Sequence, residues 1–381
     1  MTNKLMAANG STVVKAVCAI AFCMFCFAWL FFFQADLLTV AQHELSHGVT
    51  HYNGTVGAIV ITAVLLLLQR WVQLCFRKVA AGYALSFFPS LLALALLTDY
   101  HPGGGGQTYL AVWSWLAPLL LAVWGGLLAV LRNMGTSNAA VDGYSIGRQL
   151  WSNLLLLCLL FLFVALAANG NDVTHYRARM ETLMASRDFE KALTVGERSA
   201  ATDQHLTMLR AYALSRRGEM GEMLFRYPVK GTSSTLLPAE GGGQLLLYPA
   251  DSVWRHLGAR PLGKMNTKTY LKALEACGRA TRAVADYRLC GCLVDKDLDT
   301  FVKLLPRYYT VNDSLPRHYR EALVLYTHQR AHPALVYHDS VMDTDFADFQ
   351  KLEDSYPEGN ARKLAVYEQY FGTYWWYYLY E

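Results

Sequence analysis

The chain has 381 residues, 54% of them hydrophobic, with 34 basic and 30 acidic side chains and a formal charge of +4. Nearly all of that charge lies in the first 169 residues, which hold seven basic and four acidic groups, while the rest carries 27 basic and 26 acidic ones. So even a balance excludes a nucleic-acid partner that needs a basic face, and the stretch after residue 169 is long enough to bury a core of its own.

Five apolar runs open the chain: Thr12–Phe33, Thr55–Leu68 extending toward Phe76, Val79–Thr98, Thr108–Leu131 and Leu150–Ala168. Most approach the roughly 20 residues that cross a bilayer core. Backbone groups left unpaired at that depth are costly, so the runs are predicted as five transmembrane helices at 12–33, 55–76, 79–98, 108–131 and 150–168. The first run is preceded by Lys4 and Lys15, as a signal peptide would be. It is longer than a typical signal core, and Phe33-Gln34-Ala35-Asp36 lacks a small-x-small cleavage site, so it is read as an uncleaved helix.

Basic residues fall in alternate gaps. Lys4 and Lys15 precede or open the first run, Arg70, Arg77 and Lys78 follow the second, and Arg132 and Arg148 follow the fourth; the first and third gaps hold only Asp36, Glu44 and Asp99. By the positive-inside rule the N-terminus is cytoplasmic and the segment after Ala168 emerges on the outer face, which in a bacterial inner membrane is the periplasm. Cys18, Cys23, Cys26, Cys75 and Cys158 in or beside the spans are read as small apolar residues. Of Cys277, Cys290 and Cys292, the last two point apart on a helix, so a disulfide would pair Cys277 with one of them; buried free thiols are the alternative.

The first motif with chemistry in it, His43-Glu44-Leu45-Ser46-His47, lies in the first gap. It fits H-E-x-x-H, where two histidines one helical turn apart hold zinc and the glutamate activates water; His51 is a turn further on. It resembles the first signature of zinc metallopeptidases, including intramembrane ones. Gly48, Asn53 and Gly54 disfavour a helix through His51, and the metzincin spacing is absent. The D-G aspartate that such enzymes add has its one match at Asp142, which the charge rule places on the opposite face. The principal reading is therefore a polar loop, with His43, His47 and His51 as candidate zinc ligands and Glu44 as candidate base in the alternative. Gly103–Gly106 lacks the ending of a P-loop.

From Asn171 the periodicity is helical. His175–Ser186 and Phe189–Ser199, joined at Arg187-Asp188, form a first pair, and Gln204–Arg216 with Gly218–Arg226 repeats it at an offset of about 31 residues. Asp188-Phe189-Glu190-Lys191-Ala192-Leu193 resembles the start of the second helix of a tetratricopeptide repeat (TPR), and Ala211 with Gly218 resembles its small residue and inter-helix glycine; Arg179 and Met180 depart from the pattern. An irregular insertion spans 228–268, a candidate contact surface. Further helices are expected at Tyr270–Cys277, Thr281–Val294, Leu298–Tyr309, Pro316–Arg330 and Phe346–Tyr356, the last capped by Asp345. Asp339, Asp343, Asp345 and Asp348 beside His338 lack EF-hand spacing and read as a solvated turn. His256, His318, His328, His332 and His338 make no metal-ligand spacing. Nine of the last fifteen residues are aromatic; Tyr367, Tyr370, Phe371, Tyr374 and Tyr378 fall on one helical stripe, leaving Trp375, Trp376 and Tyr380 in need of other cover.

The fold class expected is thus all-α: a five-helix transmembrane domain over 1–169 and a TPR-like solenoid over 170–381. Gly82-Tyr83-Ala84-Leu85-Ser86-Phe87-Phe88-Pro89, Leu97-Thr98-Asp99-Tyr100, Leu206-Thr207-Met208-Leu209-Arg210-Ala211-Tyr212-Ala213-Leu214 and Leu224-Phe225-Arg226-Tyr227-Pro228 together resemble an uncharacterised bacterial membrane-protein family defined by a domain of unknown function. The resemblance implies the same layout and supplies no catalytic residues. The partners expected are the lipid bilayer and a protein or peptide on the helical-repeat surface, with no cofactor.

Overall fold

The apolar runs wind into helices because nothing in them satisfies the backbone otherwise. The computed structural model describes residues 2–75, 83–102, 106–133, 146–238 and 243–381, and among them every regular element is helical. The chain divides into two compact units, Met1–Thr174 and His175–Glu381.

In the first unit α1 (Thr2–Ala28) runs into a π-helical turn at Trp29–Phe33 and is followed by α2 (Ala35–Leu45), α3 (Gly54–Cys75), α4 (Phe88–Thr98), α5 (Gly106–Asn133) and α6 (Ile146–Ala167). Among the described residues, four stretches are long and apolar enough to cross a membrane: Thr12–Phe33, Gly54–Leu74, Ala111–Leu131 and Ile146–Ala167. Four of the five expected spans thus have helices of crossing length among the described residues. The run at 79–98 yields only a shorter apolar helix, Tyr83–Thr98, and its expected start at 79–82 lies outside the described residues. Within Tyr83–Thr98, Pro89 marks a change of pitch. It occupies the first turn of α4, where a missing N–H is tolerated, and the residues before it, Tyr83–Phe87, coil as a tighter 3₁₀ turn.

Cys18, Phe22, Cys26, Leu30, Leu91 and Val164 are fully buried at the centre of this bundle. Phe25 stacks on Phe161 at 3.9 Å and Phe22 meets Phe87 at 4.7 Å. Ile20, Met24, Leu67, Val123 and Leu159 lie exposed on the outside, the distribution a bilayer tolerates and water does not. Hydrogen bonds mark the two ends. At one, Gln69 Nε2 donates to Ser86 Oγ at 2.8 Å and Ala84 N to Asn153 Oδ1 at 2.9 Å. At the other, Asn169 N donates to Thr98 O at 3.1 Å, Asn169 Nδ2 to Tyr100 O at 2.7 Å and Trp113 Nε1 to Asp99 Oδ2 at 2.7 Å.

The second unit contains α7 (Asp172–Ala185), α8 (Phe189–Thr194), α9 (Gln204–Arg217), α10 (Met220–Met223), α11 (Ala250–Leu257), α12 (Thr267–Ala276), α13 (Ala283–Val294), α14 (Leu298–Tyr308), α15 (Arg317–Gln329), α16 (Ser340–Asp354), α17 (Asn360–Tyr370) and α18 (Tyr374–Tyr380). α7 itself begins just before the unit boundary. Side-chain caps start the helices: Asp188 accepts from Lys191 N at 3.1 Å, Asp203 from Leu206 N at 2.6 Å and Asp297 from Thr300 N at 3.0 Å. Asp339, and not Asp345, caps α16, accepting from Val341 N and Met342 N.

One turn geometry joins four helix pairs. Arg187, Gly218, Gly278 and Lys296 each adopt a left-handed conformation. The next amide then bonds back five residues: Asp188 to Leu183, Glu219 to Leu214, Arg279 to Leu274 and Asp297 to Cys292. The second helices are uneven, α8 having 6 residues and α10 only 4. α10 passes into a 3₁₀ turn over Leu224–Arg226, and Tyr227, held extended by Pro228 at φ −103° and ψ 152°, ends the helical run.

The terminal aromatic run is not one stripe. Gly372, at φ 90°, breaks it into α17 and α18, which turns Tyr374, Trp375, Trp376 and Tyr377 all inward. Tyr377 OH donates to Val294 O at 2.7 Å at the end of α13, and Tyr374 OH to Leu293 O at 3.2 Å, beside the Lys296 amide that already donates there. The insertion at 228–268 likewise packs inward: Leu236, Leu237, Leu246 and Tyr248 are buried.

Candidate functional site

α2 carries His43 and Glu44 on its last turn and ends at Leu45. His47 (φ 50°) and Gly48 (φ 79°) then take left-handed conformations, and Gly48 N closes the turn on His43 O at 2.9 Å. His47 is therefore not one α-helical turn beyond His43, the relation that zinc binding by this motif requires. The His43 ring lies against Gly48, 3.1 Å from where a Cβ would stand. Tyr100 OH donates to the Glu44 carboxylate. His51 follows in irregular backbone, and Asp142 lies outside the described residues. Among the described residues no three His, Cys, Asp or Glu side chains converge as a metal-binding group.

Cys290 and Cys292 are buried free thiols and Cys277 is an exposed one. Burial pushes the Cys292 thiol up to about 11. Asp343 lies 3.4 Å from His338 Nδ1 and 4.0 Å from His328 Nε2. Gly106 opens α5, and the glycines before it lie outside the described residues.

Sequence reasoning missed the charged groups inside the second unit, because each is joined to partners far away in the chain. Glu181, fully buried, accepts from three successive amides, Leu246 N, Leu247 N and Tyr248 N, the last two at 2.7 and 2.8 Å. Burial raises its pKa although those amides and Arg177 oppose the shift. Arg210, 1% exposed, donates to Gly196 O at 3.1 Å and lies over the Tyr227 ring, and burial lowers its pKa to about 10. His318 and Glu321 look like an acid–base dyad, with Nδ1 to Oε2 at 2.9 Å. Phe225 N donates to His318 Nε2 at 3.2 Å, so Nδ1 carries the proton and no nitrogen is left for a substrate. The Glu321 carboxylate also accepts from Arg317 Nε and Tyr374 N, both at 2.7 Å. Burial acts to raise its pKa, but His318, Arg317 and the Tyr374 amide outweigh it and hold the carboxyl below its usual range. These groups hold helices together.

An open, mixed-polarity site does exist, a cleft of about 480 Å³ bordered by the end of α12, the start of α13 and the end of α14. Glu275, Arg282, Arg307, Tyr308 and Tyr309 line it. Arg288 and Tyr308 OH both donate to the Glu275 carboxylate, and Arg288 Nη1 also reaches Tyr308 OH at 2.7 Å. Tyr309 OH donates to Asp286 Oδ1 at 2.6 Å, as does Tyr319 OH at 2.9 Å. Burial raises the Asp286 pKa despite both phenols.

A family model matches residues 106–267 and 262–381, most of the chain and all of this cleft. The chain belongs to a family of unknown function (DUF6057). The DUF6057 match begins at the start of α5, so His43–His47 lie outside it. No curated protein and no solved structure matches the chain.

Proposed function

We propose that this protein is an integral membrane scaffold that crosses a bacterial inner membrane five times and presents its second unit to a protein or peptide partner in the periplasm. The observation that carries the reading is the separation of charge between the two ends of the first unit. Glu44, Asp99, Tyr100 and Asn169 are linked to one another or to their chain neighbours at one end. Arg70 follows Gln69, and Arg148 precedes the turn that holds Asn153, at the other. Cationic residues are retained on the cytoplasmic side, so the chain after Asn169 would leave on the outer one.

Tyr83–Thr98 supports a fifth crossing: with five residues in the 3₁₀ turn and 11 in α4, it spans about 26 Å at the usual rises, close to the thickness of a bilayer core. Support for a TPR-like interaction unit comes from the recurring left-handed turns, with Arg187 and Gly218 separated by the offset of the sequence repeat. The partner expectation is tested by photo-crosslinking from Leu262, which is 99% exposed, in membranes of cells making the full chain. A discrete crosslinked adduct containing a second protein is expected; labelling of lipid alone would sink the scaffold reading.

A further inference from the structure

We propose that the cleft bordered by α12, α13 and α14 binds a carboxylate-bearing peptide segment of the partner, held by Arg282 and Arg307. The inference rests on the scaffold reading above and names the chemistry its partner must carry.

The hydroxyl groups in the cleft are already spent. Thr281 Oγ1 donates to His256 O at 2.8 Å, Tyr308 OH to Glu275 and Tyr309 OH to Asp286. The one acidic lining residue, Glu275, is neutralised by Arg288, which like it is nearly buried. Two guanidinium groups remain. Arg307, its side chain 63% exposed, pairs with Glu275 only at 3.8 Å, beyond hydrogen-bond reach, and Arg282 is close enough to Asp286 to act against the burial that raises that carboxyl's pKa, with no hydrogen bond given to its guanidinium. A ligand entering the cleft therefore meets unspent donors and phenol ring faces, and it has to supply acceptors and negative charge. Planar guanidinium forks match carboxylates in a two-pronged geometry. The first turn of α13, through Val284 and Ala285, adds the partial positive charge of a helix start on the same wall. The cleft has the size of small-ligand sites, large enough for a few side chains of an extended segment.

The full chain in zwitterionic lipid nanodiscs, with a fluorescein-labelled deca-glutamate peptide as probe, provides the test by fluorescence anisotropy. Binding is expected to weaken about tenfold or more in R282E/R307E and to stay unchanged in R198E, a charge reversal at an exposed position outside the cleft. If the double variant fails to fold, R307E alone carries the comparison. The proposal is overturned if wild type does not bind the peptide, if R198E weakens binding as much as the double variant, or if inorganic phosphate displaces the peptide where equal acetate does not. A partner crosslinked equally by wild type and R282E/R307E would remove the cleft and leave the scaffold reading standing.

Discussion

At the scale of single residues, two histidines with no readable spacing in the sequence, His256 and His318, pack against partners inside the second unit. His256 shows what that means for stability. Its Nε2 lies 2.9 Å from Ser215 Oγ and its ring meets Tyr212 edge-on at 5.7 Å. Burial, helped by the nearby Arg216 charge, lowers its pKa from the ordinary 6.5 to about 4. The unfolded chain then takes up a proton that the folded one refuses. The folded state keeps its full advantage above pH 6.5 and loses it as pH falls from 6.5 toward 4, by on the order of 3 kcal/mol for a shift of this size. Acidic groups titrate in the same range, so the comparison must be with a variant. The difference in melting temperature between pH 7 and pH 4.5 should be smaller in His256→Gln than in wild type; equal differences would show that His256 is not the group responsible.

At the scale of elements, helix positions were legible and helix ends only partly so. Apolar periodicity announces where helices lie, because it is local, whereas the cap expected at Asp345 falls at Asp339. The His43–His47 segment depends on a less local feature. Its chemistry depends on the helix continuing, and two left-handed residues at 47 and 48 end it. The aromatic run divides in the same way at Gly372. The insertion could not be placed from sequence at all, since what fastens it is Glu181 on α7, some 65 residues before the amides it holds. A glutamine at 181 keeps the shape but turns an NH₂ toward amide donors. Glu181→Gln is therefore expected to cost about 2–4 kcal/mol of unfolding free energy and to expose the 243–248 backbone to hydrogen exchange. Unchanged protection there would mean that the insertion is held by its buried leucines alone.

At the scale of the whole molecule, the division into an apolar unit and a mixed helical unit follows from composition, and membership of a family of unknown function adds no reaction to it. The cleft at Arg282 and Arg307 had no sequence signature, because its walls come from three separate helices and its selectivity from which hydroxyls are already used. What ties the molecule together is orientation: the acidic bundle end, the exit at Asn169 and everything that follows would share one face of the membrane. Substituted-cysteine labelling tests this most directly. In intact cells making the full chain with its native cysteines replaced, single cysteines at Val49, 81% exposed, and at Asp172 should both react with a membrane-impermeant maleimide, and one at Trp71, 74% exposed, should react only after permeabilisation. Labelling of Val49 and Asp172 on opposite faces, or of Trp71 alone in intact cells, would contradict the account.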